Sequence, residues 1–585
     1  MTDVKKIFLL LMSLPLCLFA QDIPQSMSYT RIYDFMDELA NQGVIEVNSA
    51  IRPYSREFIA KKLTEAKEKD SLLNKRMRGD LDFFLQDYAI ERDTLPNNTH
   101  IHKSSKDGKT WDVSLWQPAF QFNNGVFKFR VTPLLGGNMK VNKNGPVMQR
   151  WWGADIQATL WNHISVFANL RDQAYYGKFL GSGLQNADAR LSKGPYLNLL
   201  PGVEYKEAEY GGDYSDMRGG IKFYCKYGSI GVVKDNVTWG ESQHSSNILS
   251  GRGPSFPMLT LSFKPVRWLE LNYIHGWLVS NTYDKSRYYL EESSAGVVDT
   301  MYRPHNKFIA ANMLTVTPIK KLNISIGNSI IYGESSPMLA YFIPFAYYKA
   351  LDHLQTKGLN AQNQNSQIFA TISTRNIKNL HLYASLYIDE FKFDRLKSSN
   401  KEANPISYQV GASYSEPHTN LYANVEFTRS NIICYKHSID ALTYASNSYC
   451  LGHYLGDNSQ EIYVKLGYRP IRKLDLSLSY TNARHYNDYN YQRKTVGTVI
   501  SQKAFDELVW QNNTIAAKAL YELTNNCYVY VGAEFNNAKG YDRSSKAALN
   551  TYENNLTAQQ YLDNYTPKFY QGKNLTFEFG FNFGF

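Results

Sequence analysis

Beyond its first twenty residues the chain has no apolar run of about 18 or more residues, the length a membrane-crossing helix needs. Its mean hydropathy is −0.42. A helical membrane protein is thereby excluded, but a β-barrel is not, because only every second residue of a barrel strand faces lipid. Cysteine is scarce, with five in 585 residues. None stands in C-x-x-C, and there is neither a zinc-type His pair nor H-E-x-x-H, so no metal is expected. A phosphate-binding glycine motif and a basic-aromatic patch are both missing, which removes nucleotides and nucleic acid as partners. Ser, His, Asp and Glu are plentiful, yet no spacing singles out a nucleophile with its base or a carboxylate pair. The expectation is a protein with neither enzymatic activity nor cofactor.

What the chain does have is tyrosine: 44 Tyr against 30 Phe, in an aromatic content of 14%. Tyrosine-rich chains suit β-structure with one wet face. The N-terminus combines Lys5-Lys6, an apolar stretch from Ile7 to Phe19, and Ala20. These are the marks of a signal peptide cut after Ala20, residues 1–20. Leu16 before Cys17 is too large for a lipobox, so lipidation is not expected. Cys434 and Cys450 fall in one loop. In an oxidising compartment they could bridge, closing about 15 residues for roughly 3 kcal/mol, or remain thiols. The net charge of +10 permits an acidic partner such as lipopolysaccharide or an acidic glycan without requiring one.

Residues 21–95 read as a small helical bundle. Leu63, Ala66, Leu72, Leu73, Met77, Leu81, Phe84, Leu85 and Tyr88 recur near helical spacing, and Ser55 and Ser71 stand at N-cap positions. After the polar segment at 93–98 the period changes to two. Leu380, Leu382, Ala384, Leu386 and Ile388 alternate with His381, Tyr383, Ser385, Tyr387 and Asp389, and similar runs recur to the end of the chain. Short turns such as Pro470-Ile471-Arg472 join the runs in pairs. Long polar stretches, 281–305, 335–365, 431–459 and 537–573, separate the pairs. This asymmetry predicts a transmembrane antiparallel barrel over 96–585, with the short turns and the bundle periplasmic. Leu575, Phe577, Phe579, Phe581, Phe583 and Phe585 alternate with polar or small residues to the last position. That is a closing strand with one face to lipid, and its aromatic end resembles a signal for outer-membrane assembly machinery. The runs number about nineteen. A single-chain barrel needs an even number, so about 18 strands are expected.

Three stretches carry a family resemblance: Ser49-Ala50-Ile51-Arg52-Pro53-Tyr54; Val237-Thr238-Trp239-Gly240-Glu241 through Pro254-Ser255-Phe256-Pro257; and Tyr332-Gly333-Glu334 with Tyr341-Phe342-Ile343-Pro344-Phe345. In order and spacing they resemble the Wzi-like capsule-assembly family. The resemblance implies an outer-membrane barrel with a periplasmic bundle, acting as a surface lectin that anchors capsular polysaccharide without catalysis. A porin or substrate-specific channel is the alternative, and whether helices or loops fill the lumen decides between them.

The strands ending at Thr238 and Tyr332 both run outward, which predicts Trp239 and Glu334 at the external mouth. Sugars stack on aromatics and hydrogen-bond to charged groups, so Trp239, Glu241, His244, Arg252, Glu334 and Tyr341 are the candidate glycan contacts. Girdle or lumen packing is the competing role for each.

Overall fold

The computed structural model describes residues 23–584 apart from 49, 93, 95–99, 107–108, 115–117, 178–202, 209–210, 293–297, 357–363, 398–402, 490–503, 525 and 544–555. The expected signal segment, residues 1–20, and the terminal Phe585 lie outside the described residues.

Period-two alternation produces eighteen antiparallel staves. They are β1 (Phe127–Asn142), β2 (Gly145–Leu160), β3 (Ile164–Tyr176), β4 (Gly211–Cys225), β5 (Gly228–Asp235), β6 (Phe256–Val266), β7 (Leu269–Glu292), β8 (Val298–Ile319) and β9 (Leu322–Tyr332). The ring continues through β10 (Asn365–Thr374), β11 (Leu380–Ile388), β12 (Ile406–Ser415), β13 (Leu421–Ser430), β14 (Ser459–Ile471), β15 (Leu474–Tyr486), β16 (Leu508–Thr524), β17 (Cys527–Gly540) and β18 (Gly572–Phe583). The phenylalanine-rich last stave closes on the first, in register from Phe577↔Val141 to Phe583↔Leu135. The expected even ring of about 18 strands is therefore what forms. Short strands also pair with the ring without being staves. Phe120–Asn123 lies along the lower part of β1, and Val203–Ala208 along the upper part of β4.

Outward side chains such as Leu314, Ile326, Val410, Leu466 and Phe579 are exposed and apolar. Their inward neighbours, Thr315, Ser325, Gln409, Lys465 and Glu578, are polar. An outward apolar band over a hydrogen-bonded ring without edges is the form in which a β-chain can sit in hydrocarbon. One end of the ring has tight connections, such as 226–227, 267–268, 320–321 and 472–473, and the other has long ones, such as 333–364 and 431–458. The stretch at 281–305 departs from its reading as a loop. Both arms stay in strand conformation, paired from Val279↔Asn306 to Glu292↔Val298, because Tyr, Val and Thr there favour strand despite the intervening charges.

Helices α1 (Thr30–Asn41), α2 (Arg56–Glu68) and α3 (Lys75–Asp87) sit in the short-turn end. Their apolar faces make one core containing Ile32, Leu39, Leu63, Met77, Leu81 and Phe84. Ser55 caps α2, accepting from the Phe58 amide at 3.1 Å. The second expected cap is corrected: Asn74, not Ser71, accepts from the Met77 amide, because Ser71 is taken up in the 3-10 turn Asp70–Leu72. Charge locks the bundle to the ring. Arg469 of β14 reaches Asp34 at 3.1 Å, Glu38 at 3.3 Å and Asp475 at 2.7 Å.

Candidate functional site

β5 and β6 are short, so the chain leaves the wall at Asp235 and rejoins it at Phe256. The twenty residues between contain Val237, Trp239, Ile248 and Leu249, which need burial, and a dry place is available inside the ring. Once off the wall, Thr238–Trp239 pairs with Ile51–Arg52, so this segment joins the N-terminal region inside the lumen. Directly after it the chain turns at Gly240, φ +115, where a Cβ would meet Ser246 Oγ at 2.9 Å.

The inward segment is bonded across to the far wall. Asn247 donates to the Ser407 carbonyl at 3.1 Å and accepts from Ser385 Oγ at 2.6 Å. The Glu426 carboxylate of β13 accepts from Ser242 Oγ, the Gln243 and His244 amides, Tyr383 OH and Gln409 Nε2. Asp37 of α1 takes Arg52 at 3.1 Å, Arg375 from the β10–β11 turn at 3.2 Å, and Gln243. One carboxylate thus ties bundle, plug and wall together. Residues 431–458 fold in as well, putting Cys434, Tyr435, Tyr444 and Leu451 in the same core as Trp239 and Ile248. Cys434 and Cys450 are both free thiols.

The six candidate residues therefore do not form one external site. Trp239 is 1% exposed and packs on Phe369 with ring centroids 5.8 Å apart. Glu241 accepts from Ser373 Oγ at 2.9 Å and lies 3.9 Å from His381 Nε2. His244 stacks on Tyr463 at 3.9 Å with its Nε2 3.4 Å from Glu461. The Arg252 guanidinium lies 4.6 Å over the Tyr454 ring and donates to the His244 carbonyl at 3.0 Å. These four meet in the lumen, which corrects their expected place at the mouth: the short staves turn the chain inward below the rim. Glu334 is exposed at the long-loop rim, as its strand direction predicts, beside Gln364 Nε2 at 3.3 Å. Tyr341 is buried, but against the outside of the wall, on Tyr273, Tyr332 and Tyr348.

The surface that the sequence reading passed over is the hairpin made by the upper arms of β7 and β8. β6 pairs with β7 only as far as Gly276, and β9 with β8 only as far as Phe308, so the arms above have no stave beside them. They expose Tyr283, Tyr288, Tyr289 and Tyr302, with Tyr288 directly opposite Tyr302 and Arg303 5.9 Å over Tyr289. The signal was Tyr288-Tyr289-Leu290 facing Val298 to Tyr302 in a stretch assigned to loop because of its charges. At the short-turn end, a cavity of about 270 Å³ between the bundle and β4–β7 is lined by Tyr54, Phe58, Lys222, Tyr224, Lys264 and Asn272 among others. Asp457, His485 and Asp488 are grouped as metal ligands would be, but the Lys436 ammonium already lies 3.0 Å from Asp457 and 3.6 Å from Asp488.

Compared with known proteins, residues 186–550 match the family described as Capsule assembly protein Wzi. No curated protein matches the sequence. Among solved structures, Wzi of Escherichia coli is similar over 97% of this chain and 100% of its own, at 11% identity and a TM-score of 0.52. That protein is described as an outer-membrane protein involved in group 1 capsule assembly and a carbohydrate-binding β-barrel. OccK3 of Pseudomonas aeruginosa overlaps 78% of this chain and 95% of its own, at 8% identity and a TM-score of 0.39.

Proposed function

From the premise that this chain belongs to the Wzi capsule assembly family, we propose that it holds capsular polysaccharide at the cell surface, by binding and without catalysis. It acts as an outer-membrane barrel, with the short-turn end and its bundle in the periplasm and the long-loop end outside. A cut after Ala20 delivers it to the envelope, where outer-membrane lipid, lipopolysaccharide and the barrel-assembly machinery are its other partners. The observation that carries the reading is the filled lumen. The bundle below, the 236–255 segment across the middle and residues 431–458 above leave hydrogen-bonded side chains where a porin has water. Recognition then falls to the outer surface. The lumen residues Trp239, Glu241, His244 and Arg252 serve as scaffold, while Glu334 and the hairpin tyrosines are the glycan contacts. Tyrosine rings offer flat apolar faces to sugar rings, and the neighbouring arginines offer donors to hydroxyls and carboxylates.

The test is deletion of the gene with staining of surface polysaccharide. Loss of cell-attached capsule, with polymer shed into the medium, is expected; an unchanged capsule overturns the proposal. Planar-bilayer recording addresses the channel alternative, for which a large steady current would speak.

A further inference from the structure

After β9 the chain crosses the rim and turns back down the outside of the barrel. The outward side chains of β7, β8 and β9 beneath it include Tyr273, Phe308, Ala310, Ile330 and Tyr332, and all are buried. On the same faces Leu314 and Ile326, farther from the rim, are exposed like the rest of the apolar band. What covers the first group is the stretch from Met338 through helix α4 (Tyr348–Thr356), which inserts Tyr341 and Tyr348 against them.

The contact is specific. Tyr273 OH donates to the Tyr341 carbonyl at 2.9 Å. The wall carries two asparagines on this outward face, Asn312 and Asn328, both of which donate to the Ala346 carbonyl, at 2.8 and 3.1 Å. Asn328 Oδ1 accepts from the Tyr348 amide at 2.9 Å. Two amides bare to hydrocarbon would be costly, so the wall is built to be covered here. The covering segment exposes large apolar side chains on its far side: Leu339 is 84% exposed, Phe345 76% and Leu354 74%.

We infer that residues 338–354 form a clasp immersed in the outer leaflet, with Leu339, Phe345 and Leu354 against lipid acyl chains. The occupant follows from continuity. The segment is a second layer on a wall whose neighbouring positions already face hydrocarbon, and its free side repeats the apolar character of the band it interrupts. The inference rests on the membrane-barrel reading and is independent of polysaccharide binding.

The experiment uses the full chain in phospholipid vesicles, with Phe345→Cys or Leu354→Cys in a background whose Cys225 and Cys527 are replaced by Ser. Tyr289→Cys on the hairpin is the water-exposed control. In lipid, a polar maleimide should react with Cys at 345 about tenfold more slowly than at 289, because the thiolate does not form in hydrocarbon. A fluorophore placed at 345 should be quenched by acyl-chain nitroxide lipids. Equal labelling rates without quenching overturn the clasp. Slow labelling without quenching, together with a 345–345 disulfide dimer, also overturns it and assigns the face to a second copy. Agreement between the 345 and 354 variants guards against one substitution having displaced the segment.

Discussion

The plugged lumen and the protruding hairpin are built from similar residues, tyrosine, arginine, serine and acidic groups, and use them in opposite ways. In the lumen two carboxylates are spent on neighbouring groups: Glu426 accepts from five donors, and Asp37 joins helix, plug and wall. On the hairpin the tyrosines point into solvent, and a few links such as Arg287 to Asn306 at 3.1 Å brace the arms. A buried polar group must be satisfied within the molecule, whereas an exposed one remains available to a ligand. In this molecule, therefore, residue type is a poor guide to binding and place is a good one.

The contrast breaks most readily at Asp37. Asp37→Leu leaves the Arg52 and Arg375 guanidiniums buried without their carboxylate, at a cost of roughly 3–5 kcal/mol. Thermal unfolding in detergent, followed by circular dichroism, should show it as a large fall in midpoint. Next comes Trp239→Ala. Removing a fully buried indole costs about 3 kcal/mol, while affinity for an oligosaccharide of the capsule should not change. Lost affinity with an unchanged melting midpoint would return Trp239 to the binding surface. The third effect is acid sensitivity at the bundle. Burial pushes the Glu91 carboxyl up, but the Arg56 guanidinium against it prevails and holds it below the usual carboxylate value. A depressed value means that the pair's stabilisation is present at neutral pH and is lost as pH falls through that value. Limited proteolysis of the 23–92 region should therefore accelerate in acid, and Glu91→Gln should show the faster cleavage already at pH 7.

How much of this could be read from sequence follows the same division. The ring was legible because lipid on one side imposes a strict period, as in Leu380 to Ile388 and Leu575 to Phe583. The bundle was legible from the spacing of Leu63, Met77 and Leu81. The destination of residues 236–255 was not, because the local pattern around Trp239 continues β5 as if the strand went on to the rim. Only the early end of β5 and β6, and the vacancy of the lumen beside them, send it inward. The hairpin was missed for the converse reason. With both faces in water it has no apolar alternation to announce it, so its charges read as loop. Tyr341 illustrates a third case: an aromatic near a rim belongs to mouth, girdle or outer cover according to where the chain turns, which spacing does not encode.

The smallest effect on stability and the sharpest on function is expected at the hairpin. Tyr288 and Tyr302 face each other across the two strands and touch no part of the core. Tyr288→Ala and Tyr302→Ala should each shift stability by no more than about 0.5 kcal/mol. If the pair stacks on a sugar, each should also weaken oligosaccharide binding by about 1 kcal/mol, about fivefold. Phe at either position should retain most of the affinity, since the ring face rather than the hydroxyl makes the contact. Titration calorimetry on the detergent-solubilised chain separates the possibilities. Unaltered affinity in both alanine variants would remove the hairpin from recognition and leave the rim around Glu334 to carry it. A melting shift as large as that of Trp239→Ala would mean that the hairpin is packed like the lumen, and the distinction between spent and available polar groups would fail where it matters most.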